Sequence, residues 1–269
     1  MIAKSTLLAP AVIDGQRSPF FGFGTVFRKE VQEWFRGRRG VAVALSALAI
    51  GLFTVLVPFI VKATDKMGTA PDFSMDPTIN VLLGWGTGTV TFQAFLVVLA
   101  TISLMTVERD RGTLAWSLTN PVSRTAILVA KWSAAVAVLG VISIFLPLTL
   151  QVIVATVAYG AVADIPLVIG FGLLYLAVPA FYVALNLASG TVVSSTAGVA
   201  GIGFLAMFLP SLVASVMPSI MEFSPTNVHT WAFALATHGT VVWTLPLATV
   251  LAIGLLGFGA KVVFDRQEL

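Results

Sequence analysis

Long apolar runs dominate this sequence and restrict the folds that it can form. A helix that crosses a bilayer needs about 20 mainly apolar residues to span a hydrocarbon core of about 30 Å, and runs of this kind recur along the chain. Hydrophobic residues make up 58% of the 269 residues and charged residues only 10%, whereas a soluble domain carries about 25% charged residues. The sequence therefore predicts an all-α polytopic membrane protein.

Six transmembrane helices are predicted within one domain, residues 41–264. Their expected bounds are Val41–Val61, Val81–Met105, Ala126–Val157, Pro166–Ala188, Gly198–Met217 and Val241–Val263. The third is long enough to tilt, or to kink near Pro147. Residues 1–19 and 20–40 precede this domain, and residues 265–269 follow it. Residues 1–19 show no clear secretory signal, so we expect them to form a mature cytosolic tail.

The basic residues predict the orientation of the chain. If both termini are cytosolic, every Lys and Arg except Lys62 and Lys66 lies on the cytosolic side, as the positive-inside rule requires. We therefore expect a multi-pass protein of the inner (cytoplasmic) cell membrane. The positive-inside rule accounts for the basic residues behind the net charge of +3. We therefore expect membrane lipids, and not nucleic acid, as partners. Cysteine is absent, which excludes thiolate metal sites, and we expect neither metal nor cofactor in this chain.

Residues 20–40 are predicted to form an amphipathic helix. Apolar side chains recur there at helical spacing, at Phe23, Val26, Phe27, Val31, Trp34 and Phe35. Polar side chains cover the remainder, at Arg28, Lys29, Gln32, Glu33, Arg36 and Arg39. A basic amphipathic helix of this kind lies in the membrane interface. Two interpretations stay open, because the helix could be a plain anchor or a lever packed against a cytosolic partner.

A dense polar segment, Glu108–Lys131, separates the second apolar run from the third. Its first residues, Glu108-Arg109-Asp110-Arg111, place alternating charges at the membrane surface. Gly112 suits the end of a helix, and Thr113 can cap a short helix that reaches Thr119. Asn120-Pro121 then resembles a second helix start, with Asn as the cap and Pro at the first helical position.

The short helix predicted within this loop is suited to docking a soluble partner. It holds Leu114, Trp116 and Leu118 outside the bilayer, and a plain connection between two helices needs only a few residues. We therefore interpret the loop, residues 107–125, as a docking segment rather than a simple connection. Arg124 and Lys131 follow it near the interface, where long basic side chains can extend towards water.

Other functions are less consistent with the sequence. ATP hydrolysis needs a phosphate-binding loop, Gly-x-x-x-x-Gly-Lys followed by Ser or Thr, and no lysine here follows a glycine. An ion-coupled secondary transporter is an alternative, although such carriers usually place ionisable residues inside the bundle. An intramembrane enzyme is a third alternative, but His229 and His238 are the only histidines, and the serines lack a Gly-x-Ser-x-Gly pattern.

Two segments resemble the type-2 ATP-binding-cassette (ABC) transporter permeases. Glu108-Arg-x-Arg-Gly-Thr-Leu, then Asn120-Pro-Val-Ser-Arg and Ile127-Leu-x-x-Lys131, looks like the cytosolic signature of that family. Phe27-Arg-Lys-Glu-x-x-Glu-Trp-Phe-Arg-x-Arg-Arg39 is similar to its amphipathic connecting helix. With six spans and this length, the resemblance covers essentially the whole chain.

The resemblance implies an ATP-driven exporter with specific partners. A separate ABC ATPase subunit would bind the chain and carry ATP and Mg, and a second permease copy, identical or paralogous, would complete the transporter. It implies coupling to the ATPase through Glu108, Arg109, Arg111, Gly112, Thr113, Leu114, Trp116, Leu118 and Pro121. The connecting-helix residues would be Arg28, Lys29, Glu30, Glu33, Trp34 and Arg36. The outer loop, residues 218–240, matches the region where the family places short re-entrant helices.

The substrate pathway is the least constrained part of the prediction. Apolar spans with few charges suit a hydrophobic or amphipathic substrate that moves by alternating access. Gln93 and Asn186 are the polar side chains that we would first expect to face a pore. The alternative, a hydrogen bond between two helices, is at least as consistent with the sequence.

Overall fold

Helices account for the regular structure of the described chain. The computed structural model describes residues 18–64, 76–85, 89–110, 122–227, 234 and 243–267, and these ranges contain no β-strand. Six helical segments in them are long and apolar enough to cross a membrane, and we number them as spans one to six: Arg38–Val57, Val90–Asp110, Arg124–Tyr159, Ile165–Val192, Thr196–Ala214 and Thr244–Arg266. The predictions of an all-α fold and of six spans are confirmed.

An amphipathic helix, Phe23–Arg36, precedes the first span, which belongs to a longer helix, Arg38–Thr64. Gly37 lies between the two helices with an extended backbone, φ −93° and ψ 158°. A Cβ at residue 40 would clash with the Trp34 carbonyl. Glycine at residue 40 therefore allows the chain to turn sharply from one helix into the next.

The second apolar run is helical from Pro77, before the predicted start at Val81, and its residues 86–88 lie outside the described residues. Its first part is the helix Pro77–Gly84, which Asp76 caps by accepting hydrogen bonds from the backbone of Thr78 and Ile79. The second span then contains the helices Val90–Thr101 and Thr106–Asp110. Trp85 and Thr89, on either side of residues 86–88, are both π-helical.

Trp85, which follows the helix Pro77–Gly84, is anchored in the core. The indole is fully buried and packs edge-on against Phe171 and Tyr175 of the fourth span, with ring centroids 6.0 and 5.0 Å away. Edge-to-face contacts of this kind add about 0.5–1.5 kcal/mol beyond the area that they bury.

The third span changes its helical pitch where a kink was expected. Its helices Arg124–Leu139 and Leu146–Tyr159 are joined by a π-helical segment, Gly140–Phe145. Pro147 lacks the N–H that an α-helix would direct at the Ser143 carbonyl. The Gln93 side chain instead donates to that carbonyl and to the Ser143 hydroxyl, at 3.5 and 3.3 Å.

The second, third and fourth spans form the centre of the bundle. About half of the residues in each are buried, compared with 28% in the first span and 17% in the fifth and sixth. The fourth span comprises the helices Ile165–Tyr175 and Ala177–Val192, and it packs against the second, third, fifth and sixth spans. The fifth and sixth spans are the single helices Thr196–Ala214 and Thr244–Arg266.

The outer loop after the fifth span begins with two short 3-10 helices, Pro218–Phe223 and Pro225–Asn227. Most of the predicted re-entrant region beyond Asn227 lies outside the described residues. The re-entrant helices therefore stay a prediction.

Candidate functional site

A cluster of charged side chains joins the amphipathic helix to the second and third spans. The Lys131 Nζ atom lies 2.7 Å from Glu30 Oε1 and 2.9 Å from Glu108 Oε1. Lys29 Nζ lies 3.2 Å from the same Glu108 oxygen and 3.5 Å from Glu33 Oε1. Lys131 and Glu108 therefore connect the amphipathic helix, the second span and the third span. We call Lys29, Glu30, Glu108 and Lys131 the charge cluster.

Burial makes the Glu30–Lys131 pair the centre of the charge cluster. Only 3% of the Lys131 side chain and 5% of the Glu30 side chain are exposed, whereas 48% of the Lys29 side chain is exposed. A buried ion must be paired, because an uncompensated buried charge costs several kcal/mol. The amphipathic helix is thus held by charge as well as by apolar packing, and Lys131 turns inward instead of extending towards water.

Burial raises the pKa of the Glu30 carboxyl above its usual value, although Lys131 acts in the opposite direction. Burial alone would lower the pKa of Lys29. The carboxylates of Glu108, Glu30 and Glu33 outweigh that effect, so the pKa of Lys29 lies above its usual value. The charged state of Glu30 therefore depends on the nearby lysines.

Helical spacing explains why Glu30 faces inward. It lies three or four positions from Val26, Phe27 and Trp34, and therefore on the same helical face. Trp34 is buried, and the Arg39 guanidinium lies 4.5 Å from its ring centroid, within reach of a cation–π contact. An acidic residue within an apolar stripe was a signal in the sequence, but the sequence did not identify its partner.

The remaining predicted residues of the amphipathic helix lie outside this buried face. Arg28, Glu33 and Arg36 are exposed. Phe35, counted with the apolar stripe, is also exposed, at 63%. The exposed face thus combines charges with an aromatic ring, as a helix at a membrane surface or against a partner would require.

Arg109, next to Glu108, connects the second span to the opposite side of the bundle. Its guanidinium donates to the Thr191 carbonyl at 3.2 Å and to Gln267 Oε1 at 3.4 Å. Gln267 Nε2 donates to the same Thr191 carbonyl at 2.5 Å. The adjacent residues Glu108 and Arg109 therefore tie the start of the loop to the amphipathic helix and to the ends of the fourth and sixth spans.

The far end of the loop also contacts the start of the amphipathic helix. The Ser123 backbone N–H donates to the Phe21 carbonyl at 3.1 Å, and the Ser123 hydroxyl donates to the Pro19 carbonyl. Gly22 has a φ of +86°, and a Cβ there would lie 2.8 Å from Val122. Glycine at residue 22 therefore permits this close approach. One edge of the loop is therefore fixed to the amphipathic helix and the other to the turn that precedes this helix.

Ser123 also starts the third span, a role that the sequence assigned to Asn120-Pro121. Its hydroxyl accepts from the Ala126 N–H at 3.0 Å, and the helix begins at Arg124. Arg124 in turn donates to the Phe264 carbonyl of the sixth span. Asn120 and Pro121 lie outside the described residues, as do six other predicted coupling residues: Arg111, Gly112, Thr113, Leu114, Trp116 and Leu118.

Gln93 and Asn186, the predicted pore-facing residues, are both buried within the chain. Asn186 Nδ2 donates to Thr101 Oγ1 at 2.7 Å and to the Val98 carbonyl at 3.1 Å, which connects the fourth span to the second. Gln93 connects the second span to the π-helical segment of the third. This geometry favours the hydrogen-bond interpretation over the pore-facing one.

Three carboxylates, those of Glu30, Glu33 and Glu108, approach closely enough to share a cation. The ammonium groups of Lys29 and Lys131 already lie among them. A divalent cation would have to displace both lysines, so the arrangement suits internal ion pairing better than metal binding.

A comparison with protein families agrees with this architecture. The family model described as ABC-2 family transporter protein matches residues 25–269, which includes the amphipathic helix from its third residue, all six spans and the loop between spans two and three. No curated protein matches the chain.

Proposed function

The chain belongs to the ABC-2 transporter family, as a multi-pass membrane permease that pairs with an ABC ATPase subunit, and we propose that it exports a hydrophobic or amphipathic substrate from the cytosol. The permease itself is the transport component and not the catalyst. ATP and Mg would be bound by the ATPase. The membrane would be the inner, cytoplasmic one, and both termini would be cytosolic.

The observation that carries the proposal is the attachment of the two loop edges to the amphipathic helix and to the turn that precedes it. Glu108 is bound by Lys29 and Lys131 at one edge, and Ser123 is bound to Phe21 at the other. A partner that pushes on residues 111–121 would therefore also move the amphipathic helix. Such a connection is what energy transfer from a separate subunit needs.

The charge cluster would pass this motion into the bundle. Lys131 belongs to the third span and contacts both Glu30 and Glu108. Arg109 extends the connection to the fourth and sixth spans through Thr191 and Gln267. ATP-driven closure of two ATPase subunits would then rock two permease copies between inward-open and outward-open states.

The apolar character of the spans supports the proposed substrate class. Large apolar side chains are exposed along the first and fifth spans, with Leu45 at 62%, Phe53 at 64% and Leu212 at 67%. These surfaces would contact lipid, substrate or a second permease copy. The amide nitrogens of Gln93 and Asn186 donate to other helices of the same chain, and both side chains are buried, so we infer an apolar route along the bundle surface.

Co-purification tests the docking step. We expect an affinity-tagged chain, coexpressed with an ABC ATPase subunit from the same genome, to retain that ATPase through purification. Replacing Leu114, Trp116 and Leu118 together by Glu should abolish retention, because charged side chains would disrupt an apolar contact. Leu8→Glu in the predicted cytosolic tail is the control and should leave retention unchanged. Equal retention by the triple variant would refute docking at this loop.

A further inference from the structure

An apolar groove opens between the third, fourth and sixth spans. Its volume is about 330 Å³, within the usual size range of small-ligand sites. Leu128 and Trp132 of the third span, Leu187 of the fourth and Gly257 of the sixth line its walls. These walls belong to helices that span the membrane, so an apolar guest would enter from the bilayer.

One end of the groove is basic. Thr125 and Lys261 are its polar lining residues, and 46% of the Lys261 side chain is exposed. Arg124 precedes Thr125 and holds the Phe264 carbonyl. Asp265, about one turn beyond Lys261, pairs with it at 2.6 Å, so two cations and one anion flank this end. The groove thus presents apolar walls below a positively charged rim.

We propose that the groove binds one anionic phospholipid, with an acyl chain between the spans and the phosphate at Lys261. An acyl chain matches the walls, and a negative headgroup matches the excess positive charge at the rim. Basic pockets between transmembrane helices on the cytosolic side bind anionic headgroups in this manner. The lipid binds independently of substrate transport and of the ATPase.

The bound lipid holds the sixth span against the bundle. Only 17% of the residues of that span are buried. An acyl chain that contacts Trp132, Leu187 and Gly257 together would fill the space between three spans. Lipid binding should therefore raise the thermal stability of the purified chain.

Two glycines of the sixth span provide a matched test. A Cβ at Gly257 or at Gly259 would meet no atom within 4 Å, so a larger side chain is accommodated at either residue. Gly257 lines the groove, whereas Gly259 is two residues on and lies on the opposite side of the helix. Gly257→Leu should fill the groove, and Gly259→Leu should leave it open.

Native mass spectrometry of the purified full chain measures binding of phosphatidylglycerol and phosphatidylcholine with identical acyl chains. We expect one tightly bound phosphatidylglycerol per chain, at least tenfold weaker binding to Gly257→Leu, and unchanged binding to Gly259→Leu. Lys261→Gln should remove the preference for phosphatidylglycerol. Equal binding by the two leucine variants would overturn the site, and equal affinity of the unaltered chain for both lipids would overturn the headgroup assignment.

Fluorescence provides a second measurement that does not depend on the folding of Gly257→Leu. Phosphatidylglycerol with brominated acyl chains should quench the emission of Trp132, obtained as the difference between the unaltered chain and Trp132→Phe. Unbrominated phosphatidylglycerol should compete for this quenching, and phosphatidylcholine should compete at least tenfold less well. Equal competition by the two lipids would contradict the proposal.

Discussion

Lys131 holds three helices together from a position inside the third span. Its ammonium group contacts Glu30 and Glu108 at 2.7 and 2.9 Å, and each carboxylate belongs to a different helix. A buried ion pair of this kind adds little net stability compared with apolar packing, but it penalises any arrangement that separates the charges. Moving the amphipathic helix away would leave a buried charge without its partner, and the cost of that fixes the helix in position.

Removing Lys131 should release the amphipathic helix. Lys131→Met leaves Glu30 buried without its closest cation, at a cost of about 3–5 kcal/mol for a broken buried pair. Trypsin should then cleave faster after Arg36, Arg38 and Arg39, which gel electrophoresis of timed digests measures. The double variant Glu30→Met with Lys131→Met should recover most of the protection, because neither charge stays buried alone.

Arg266→Met is the matched control for this residue. Arg266 is an exposed cation at the end of the sixth span, and substitution of an exposed side chain usually changes stability by less than about 0.5 kcal/mol. Cleavage at the same rate in Lys131→Met and in Arg266→Met would show that the charge cluster does not hold the helix.

Individual contacts of this kind were beyond prediction from the sequence. Glu30 and Lys131 are 101 residues apart, and many arrangements of six helices are compatible with the same apolar runs. By contrast, Lys29 and Glu33 are four residues apart, a spacing that brings side chains together on a helix, and they pair at 3.5 Å. Local spacing determines which face a residue occupies, whereas tertiary packing determines its partner.

Small residues determine how closely the spans approach one another. Gly203 of the fifth span faces Val98 of the second and Asn186 of the fourth. A Cβ there would lie 2.7 Å from Val98 and 3.0 Å from the Asn186 oxygen. Gly201, two residues earlier on the same helix, has open space around it. The fifth span therefore packs through one glycine and leaves the other exposed.

Valine substitutions at these two glycines should differ in their effect on stability. Gly203→Val should destabilise the chain by about 1–3 kcal/mol, the usual cost of overpacking a core, because neither Val98 nor Asn186 has space to retreat. Gly201→Val should change stability by less than about 0.5 kcal/mol, as exposed substitutions do. Thermal melting of the detergent-solubilised chain measures both, and equal melting temperatures would contradict this packing.

The sequence predicted those helical elements that a single physical rule determines. The bilayer thickness sets the length of an apolar helix, so the existence of six spans was predictable. The place of Trp85 in the core was not, because its burial against Phe171 and Tyr175 needs the fourth span. Pro147 indicated an irregularity in the third span, but the sequence did not show that Gln93 of the second span would donate to the Ser143 carbonyl there.

At the scale of the whole molecule, the orientation in the membrane is open to a direct test. The sequence has no cysteine, so a single introduced cysteine is the only thiol that a maleimide can label. Ser18 precedes the amphipathic helix, and Val162 is 74% exposed between the third and fourth spans. In intact cells, a membrane-impermeant maleimide should label Val162→Cys and should label Ser18→Cys only after lysis. The reverse pattern would invert the proposed topology.

The central claim is that a separate ATPase drives this permease through the loop at residues 111–121 and the amphipathic helix fixed to its edges. Spin labels on Gln32→Cys, an exposed residue of that helix, report its position in the two permease copies of the complex. We predict that trapping with ATP and vanadate shifts the label-to-label distance measured by double electron–electron resonance, and that the Glu triple variant at Leu114, Trp116 and Leu118 abolishes the shift. An unchanged distance in the intact complex, or a shift that persists in the triple variant, would contradict the account.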